Sequence, residues 1–495
     1  TRYGRGGYEH FADDDNNLYS ITQWYPRMAV YSDFQGWQHL QFTGGAEFAL
    51  TFGNYKVAIT VPSDHIVAAT GELRNGKLVL TADQQQRWTV AQTSKEPVEI
   101  VTLAEATAAL KSKSDAKKTW LFEAENVRDF AFNSSRRFVW DAMPVYIDGR
   151  KVMCMSFYGK EAYPIYRKYS TKATAHTLKI YSKYTIPYPY PVAQSVEAAN
   201  GMEYPMLSMN YGRAEKDGTY SEAIKYGAIG VIIHEVGHNF FPMIINSDER
   251  QWWWMDEGLN SFCQYVAEQE FEPGYPSRRG PAKNLVSYMQ MPREDQEPIM
   301  TKGDAVKSVG NNAYAKAATG LNMLREVVMG KELFDFSFKE YAKRWAFKHP
   351  TPADLFRTME DASGYDLDWF WRGWYFKTEP VDIALDSVKV FQSDAQLNGK
   401  DVYLYELSVS NKGGMVMPVI VEWTFKDGTK EKETVPAAVW MANEQNFKKA
   451  FRKSKEVVSI VLDPNLETTD INVNNGRWPS QSTPTKFQLF KQNGQ

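Results

Sequence analysis

The run His234-Glu235-Val236-Gly237-His238, followed after eighteen further residues by Glu257, is the part of this chain best equipped to do chemistry. In a helix, positions i and i+4 share a face, so both imidazoles can grip one metal ion. Glu235 lies one step round the helix, within reach of a water bound to that ion, and can take its proton. Glu257, within Trp254-Met255-Asp256-Glu257-Gly258-Leu259-Asn260, completes a His2Glu set and leaves the fourth position open. Catalytic rather than structural zinc is held that way. The alternative is a helix that carries two histidines for packing alone. Its flanks, Ala228-Ile229-Gly230-Val231-Ile232-Ile233 and Asn239-Phe240-Phe241, make the helix largely buried. Burying two imidazoles around a glutamate there is costly unless something coordinates or hydrogen-bonds them. The pattern points to a hydrolase with one Zn2+ per chain.

The elements that must position these residues follow from periodicity. Residues 1–155 read as mostly β, with Glu47-Phe48-Ala49-Leu50-Thr51-Phe52 and Tyr55-Lys56-Val57-Ala58-Ile59-Thr60-Val61 alternating at period two. Arg74-Asn75-Gly76-Lys77 carries the strongest short hairpin signal. Thr102 with Glu105 offers a capping box for a short helix through Leu110. A charged link over 111–118 leads to a further strand pair around Trp120 to Phe132. From 156 to 380 the pattern turns helical, at about 159–183, 221–241, 256–271, 313–328 and 331–346. Thr351-Pro352-Ala353-Asp354 supplies an N-cap, a first-turn proline and an acid, and Asp366 opens a last aromatic helix through Trp374. From Val381 short strands return, at 388–391, 403–409, 416–425 and 457–462, as in a small sandwich. Residues 481–495, rich in Ser, Thr, Gln and Pro, read as a loose tail.

The expected class is therefore α+β and multidomain. A β-rich N-terminal domain (1–155), a mostly helical catalytic domain (156–380) and a β-sandwich (381–480) precede the tail (481–495). At 495 residues, 43% hydrophobic and 24% charged, the chain has the composition of soluble globular protein. A net charge of -3 gives no electrostatic reason to expect nucleic acid or an anionic membrane as partner. Charged or polar residues interrupt every apolar run short of a transmembrane length. Cys154 and Cys263 read as buried free thiols. Trp252-Trp253-Trp254 reads as packing beneath the Glu257 helix rather than as a carbohydrate platform.

Asn200-Gly201-Met202-Glu203-Tyr204-Pro205 lies upstream of the zinc motif and Tyr314-Ala315-Lys316-Ala317 downstream. In order and spacing these elements resemble the aminopeptidase N family of gluzincins, which includes leukotriene hydrolase-type members. The resemblance covers nearly the whole chain and implies a thermolysin-like catalytic domain. It implies that His234, His238 and Glu257 bind zinc, with Glu235 as general base. Glu203 would bind the free α-amino group of a peptide, a fixed carboxylate measuring one residue to the scissile bond. Tyr314 would donate to the tetrahedral oxyanion. Gly201 and Met202 would line the first-residue pocket. Without this context Glu203 reads as a surface carboxylate and Tyr314 as a core tyrosine heading the stripe Leu321, Leu324, Val328.

The departures are specific. The family's Gly-Ala-Met-Glu-Asn becomes Gly201-Met202-Glu203-Tyr204 after Asn200, and the glycine of its Tyr-x-Lys-Gly becomes Ala317. Thr22-Gln23-Trp24-Tyr25-Pro26 resembles the family's Thr-Gln-Phe-Glu-Pro, with Tyr25 in place of a glutamate that often gives the amine site a second carboxylate. Gln23 is then the expected polar contact from the first domain. Only about twenty residues precede this segment, fewer than in relatives. The chain thus reads as lacking its first strands or as a short form, and a separately supplied N-terminal segment could complete the sheet. Thr1 is not Met, so a secreted or periplasmic setting is favoured if a leader was removed. The rival functions are a thermolysin-type zinc endopeptidase and a non-catalytic peptide-binding homologue.

Overall fold

The computed structural model describes residues 6–397 and 400–480, so the expected tail at 481–495 lies outside the described residues. Helices and several sheets are mixed, as expected of an α+β chain, and fall into two compact units. The first comprises Thr1–Arg279, Thr301–Val306 and Asp335–Gly364; the second comprises Gly280–Met300, Lys307–Phe334 and Tyr365–Gln495. Both are discontinuous in sequence. Among the described residues no helix is long and apolar enough to cross a membrane. Cys154 and Cys263 are buried free thiols.

A six-stranded sheet frames the first unit. Its strands in chain order are β1 (Val98–Val101), β2 (Val139–Ile147), β3 (Arg150–Tyr158), β4 (Val192–Glu197), β5 (Met202–Tyr204) and β6 (Leu207–Asn210). Their spatial order is β5-β6-β4-β3-β2-β1. Strands β3, β4 and β6 are parallel neighbours, while β5 closes one edge antiparallel to β6. Parallel pairing of β3 with β4 needs a crossover, and helix α1 (Tyr163–Tyr184) supplies it. Helix α1 packs on β2 and β3 and against α2 (Glu222–Gly237) and α3 (Trp253–Phe271), the two helices of the motif. Ile229, Ile232, Ile233 and Val236 of α2 are fully buried between them. Gly237 has no room for a side chain: a Cβ there would fall on the Tyr181 hydroxyl and the Asn260 amide.

A chain of buried polar groups ties α1 to the sheet. The Thr171 hydroxyl lies between the Asp141 carboxyl and Ser156, which is 2.8 Å from Ser170; Ser170 is 3.0 Å from Ser195. Asn210 Nδ2 donates to Ser195 at 2.6 Å, and Tyr158 donates to Asp141 at 2.6 Å. These side chains thus hydrogen-bond to one another in a region closed to water.

Two smaller sheets complete the β part of this unit. One has the order Gly7–Phe11, Asn16–Ile21, Phe132–Ser135, Ile66–Ala69, and the other Gly53–Pro62, Lys117–Val127, Glu72–Leu73. The strands expected to pair around Trp120 to Phe132 therefore belong to different sheets. Asn75-Gly76 does not turn a hairpin either. It opens a helical turn, Gly76–Val79, because the Asn75 side chain is taken up by a strand, donating to Thr119 O at 2.8 Å and accepting from Leu121 N at 2.9 Å. An unexpected helix, Ala82–Ala91, follows, and its signal is a Thr81/Gln84 capping box in the sequence. The box at Thr102/Glu105 does cap a helix, Leu103–Ser112.

Residues 47–52, expected to be a strand, make only an isolated bridge between Leu50 and Ala29. Buried side chains occupy the hydrogen-bonding groups that a neighbouring strand would take. Arg128 Nη2 donates to Phe48 O at 2.5 Å and Asn246 Nδ2 to Leu50 O at 2.5 Å. Glu47 N donates to Glu249 Oε2 at 2.9 Å. Arg250 donates to Gly45 O at 2.7 Å and Gln41 O at 2.8 Å.

In the second unit, two sheets share one core. They are ordered Ile383–Leu397, Lys400–Asn411, Asn446–Lys453 and Lys430–Val435, Val419–Phe425, Val457–Leu462, Arg477–Trp478. Trp423, fully buried, stands with its ring 5.9 Å from Tyr405 and 5.1 Å from Phe451, linking one sheet to the other. The helix expected over 313–328 is present but runs as a π-helical stretch, Gly310–Lys316, then α-helix Ala317–Met323, then a second π stretch, Leu324–Val328. Gly320 lets Trp374 approach, and the Trp374 indole donates to Lys316 O at 2.9 Å.

Burial raises the Asp141 carboxyl to about 7, with hydrogen bonds from Thr171 and Tyr158 opposing the rise. The folded chain therefore holds this proton more tightly than the unfolded chain does. Its stabilising contribution is complete below about pH 4 and is lost as pH rises through 7. Asp141→Asn is expected to flatten the decline in unfolding free energy between pH 5 and 8, measured by urea denaturation. An unchanged slope would refute this account.

Candidate active site

Two elements bring the metal-ligand candidates together. Ser221 caps α2, its hydroxyl accepting from Ile224 N at 3.2 Å, and the helix carries His234 to its last turn and His238 to its C-cap. Helix α3 carries Glu257 in its first turns. His234 Nε2 is 3.0 Å from Glu257 Oε2 and 3.1 Å from His238 Nε2, and His238 Nε2 is 3.4 Å from Glu257 Oε2. Ligand atoms bound tetrahedrally at about 2.0–2.2 Å from one ion stand about 3.3–3.5 Å apart. The triangle therefore fits a small tetrahedral divalent cation, with a little opening to accommodate it.

The outer contacts fix the orientation of both imidazoles. His234 Nδ1 is 2.9 Å from Gln264 Oε1, which must accept, so Nδ1 carries the proton and Nε2 offers its lone pair inward. His238 Nδ1 donates to Phe241 O at 2.7 Å, with Asp256 Oδ1 2.8 Å from the same nitrogen. Asn260 Nδ2 donates to His234 O at 2.8 Å, and Gln264 Nε2 to Glu268 Oε1 at 2.8 Å. Asp256, Asn260, Gln264 and Glu268 thus form a buried or half-buried polar stripe at every fourth position of α3. Sequence reading passed over them. Their signal is legible in retrospect: polar residues at i, i+4, i+8 and i+12 among Leu259, Phe262 and Val266.

Glu235 is buried beside this set. Burial pushes its carboxyl well above the ordinary range; the His238 charge opposes this, and Glu203 and Glu257 add to it. Glu257 goes the other way. Burial disfavours its charge, yet the two imidazoles hold it well below the usual range. Burial, with His238 nearby, lowers His234 to about 4, so its ring is neutral. For His238 burial works against the charge, but Glu203, Asp256 and Glu257 outweigh it and raise the imidazole. A metal ion among the ligands would reverse that rise. Two carboxyls driven apart in one pocket are what an acid–base residue beside a ligand requires.

The remaining expected residues are placed as follows. Met202 and Glu203 lie on edge strand β5, Glu203 paired in register with Ser208, and both are buried. A carboxylate oxygen of Glu203, a ring nitrogen of His238 and a carboxylate oxygen of Asp256 all lie within 4.8 Å of one another. Gly201 backs directly on Glu235, since a Cβ at this position would land on the Glu235 carboxylate. Gln23, with φ of 50°, points its amide at Glu47 Oε2, 3.4 Å away. Tyr25 donates to Asp129 Oδ1 at 3.0 Å, an acid that also receives Arg27 at 2.5 Å. Tyr314 belongs to the second unit, on the π-helical stretch Gly310–Lys316. Trp254 is buried, stacked 6.1 Å from Phe356, and Trp253 lies against Gly45, so both pack.

Residues 169–374 match the Peptidase family M1 domain. Aminopeptidase M1-A of Oryza sativa subsp. japonica is 22% identical over 287 residues, covering 55% of this chain and 31% of that protein. Aminopeptidase N of Lactococcus lactis subsp. lactis is 24% identical over 279 residues, covering 53% and 32%. Aminopeptidase N of Streptomyces lividans reaches 31% identity over 155 residues, covering 29% and 18%. The chain spans about a third of the length of the first two relatives. A crystal structure of Legionella pneumophila aminopeptidase A in complex with aspartic acid shares the fold, with a TM-score of 0.61 at 12% identity, over 94% of this chain and 48% of that one.

Gln264→Leu is expected to weaken divalent-cation binding about 10- to 100-fold by releasing His234 from its tautomer. Competition with a chromogenic chelator measures this, and unchanged affinity in folded protein would contradict the role given to Gln264.

Proposed function

We propose that this chain, which carries a peptidase family M1 domain, is a zinc aminopeptidase removing single N-terminal residues from peptides. The observation that supports it most is the convergence of three ligand atoms, 3.0 to 3.4 Å apart, beside two further buried carboxylates, Glu235 and Glu203. In the same reading, 1–155 is a β-rich N-terminal domain, 156–380 a thermolysin-like catalytic domain and 381–480 a β-sandwich.

His234, His238 and Glu257 hold the zinc, which when bound supplies Lewis acidity for activating water and polarising a carbonyl. Glu235 takes the proton of the attacking water and passes it to the leaving amine. Its burial suits it to that exchange, because a raised carboxyl pKa brings its proton affinity closer to neutral pH. Glu203 receives the α-ammonium of the peptide, and its place on a paired strand fixes the distance from that ammonium to the scissile bond. Gly201 and Met202 form the wall of the first-residue pocket, and Gln23 adds a polar contact. Tyr314 donates a hydrogen bond to the oxyanion as the carbonyl becomes tetrahedral.

Glu235→Gln is expected to lower turnover of aminoacyl anilides at least 100-fold with zinc content unchanged. Tyr314→Phe should lower kcat about 100- to 1000-fold with smaller change in KM. Acetylating the N-terminus of a peptide substrate separates the exopeptidase from a thermolysin-type endopeptidase. Cleavage should stop, and continued internal cleavage would favour the endopeptidase. Absence of any chelator-sensitive turnover would leave a non-catalytic peptide binder.

A further inference from the structure

We infer that the first unit holds a second binding site, a cavity for a single-chain anionic amphiphile, a long-chain carboxylate, with the anionic head at Lys151. The inference stands apart from the aminopeptidase reading, because the cavity shares no residue with the metal-ligand set.

The cavity follows from the two faces of the six-stranded sheet. Successive side chains of a strand point to opposite faces. On β3, Ser156 turns towards α1, 2.8 Å from Ser170. Met153, Met155 and Phe157 therefore turn to the other face. The wall opposite comes from residues 71–92, which include the helix Ala82–Ala91, and the space between has a volume of about 870 Å³. Ligand cavities of about 300–1,000 Å³ typically have apolar walls and a few well-placed polar groups.

Lys151, Met153, Met155 and Phe157 line this space in a row. At about 3.3 Å per residue the row is about 20 Å long. One end is charged and the other aromatic. Phe157 stacks on Trp140 with ring centres 5.2 Å apart, and Trp140 stands 5.5 Å from Trp88 of the covering helix. The two methionines between are unbranched and repack readily around a flexible chain. Leu78, also in the lining, is 83% exposed, an apolar side chain that such a chain would cover. A hydrocarbon laid along the row supplies contact atoms where the walls otherwise face none.

The charge of the lining selects the head. Among the described residues it contains Arg74, Lys77 and Lys151 against a single acid, Glu72. Glu72 is engaged by Arg74 at 3.1 Å, and Arg74 also donates to Glu123 at 2.9 Å. Lys151 has a neutral partner, donating to Gln92 Oε1 at 3.0 Å. Lys77 accepts from Gln85 through its carbonyl at 3.2 Å, and its ammonium pairs with no acid among the described residues. A carboxylate at Lys151 replaces a neutral acceptor by a charged one, which strengthens the hydrogen bond. A cationic head would meet two ammonium groups with no acid to offset them.

Calorimetric titration of the 495-residue chain with dodecanoate, dodecyltrimethylammonium and acetate, below micelle-forming concentrations, tests this. The first two share one chain and differ in the sign of the head; acetate is the head alone. Dodecanoate should bind at least about 10-fold more tightly than dodecyltrimethylammonium, and acetate should give no saturable heat. Lys151→Ala should weaken dodecanoate about 10-fold without weakening the cation. Met155→Trp, which fills the cavity, should weaken both chains. Lys151 is exposed, so its variant keeps the test decisive if Met155→Trp does not fold. Absence of dodecanoate binding, equal affinity for the two heads, or dodecanoate affinity untouched by Lys151→Ala would overturn the proposal. Unchanged affinity in folded Met155→Trp would overturn it as well, since the chain would then lie elsewhere.

Discussion

Glu203, Glu235, Glu249, Asp256 and Glu257 are all buried around His234 and His238, and five acids at that density cannot all remain ionised in a medium that excludes water. The fold answers this in three ways. Arg128 is set against Glu249; Glu235 and Asp256 are pushed towards their neutral forms; Glu257 is kept charged by the two imidazoles. A divalent cation at the His2Glu triangle would relieve the remaining repulsion. The stripe Asp256, Asn260, Gln264, Glu268 belongs to the same solution, because each imidazole can offer a lone pair inward only if its other nitrogen donates outward.

This charge cluster also explains an architectural feature that has nothing to do with regular secondary structure. The linker after α2 carries Asn246, Glu249 and Arg250, all essentially without solvent contact. Polar groups so placed must find partners, and they find them on the backbone of residues 41–50. That segment is therefore held in place by side chains from about two hundred residues away instead of by a neighbouring strand. Close packing of the three central helices imposes a second limit, and Gly237 inside the motif meets it by leaving space for Tyr181 and Asn260.

Local signals predicted elements well wherever both the pattern and its partners were local. The capping box at Thr102 caps a helix, Thr351 N donates to Asp354 Oδ2 at 2.8 Å at the start of Pro352–Ser363, and the alternating run at 55–61 lies in Gly53–Pro62. They failed where a distant group competed for the same backbone. Residues 47–52 alternate as a strand does but are satisfied by Arg128 and Asn246, and Asn75 spends its side chain on a neighbouring strand rather than on a turn. The helix over 313–328 was legible as a helix, but its π-helical ends were not, since no residue pattern at period 3.6 announces a widened turn.

By itself, the sequence determined that His234, Glu235 and His238 lie together at the end of one helix and that Glu257 follows on a helix of its own, because helix geometry alone relates the first three. It also determined that Glu203 would sit just ahead of that motif. Tertiary structure decided what the motif's neighbours do. Which nitrogen of each imidazole faces inward depends on Gln264 and on the Phe241 carbonyl. That Gly201 backs on Glu235, and that Glu47 faces Gln23, depend on the path of segments far apart in the chain. Such contacts are set by burial and by the need to pair every polar group, which no short stretch of residues encodes.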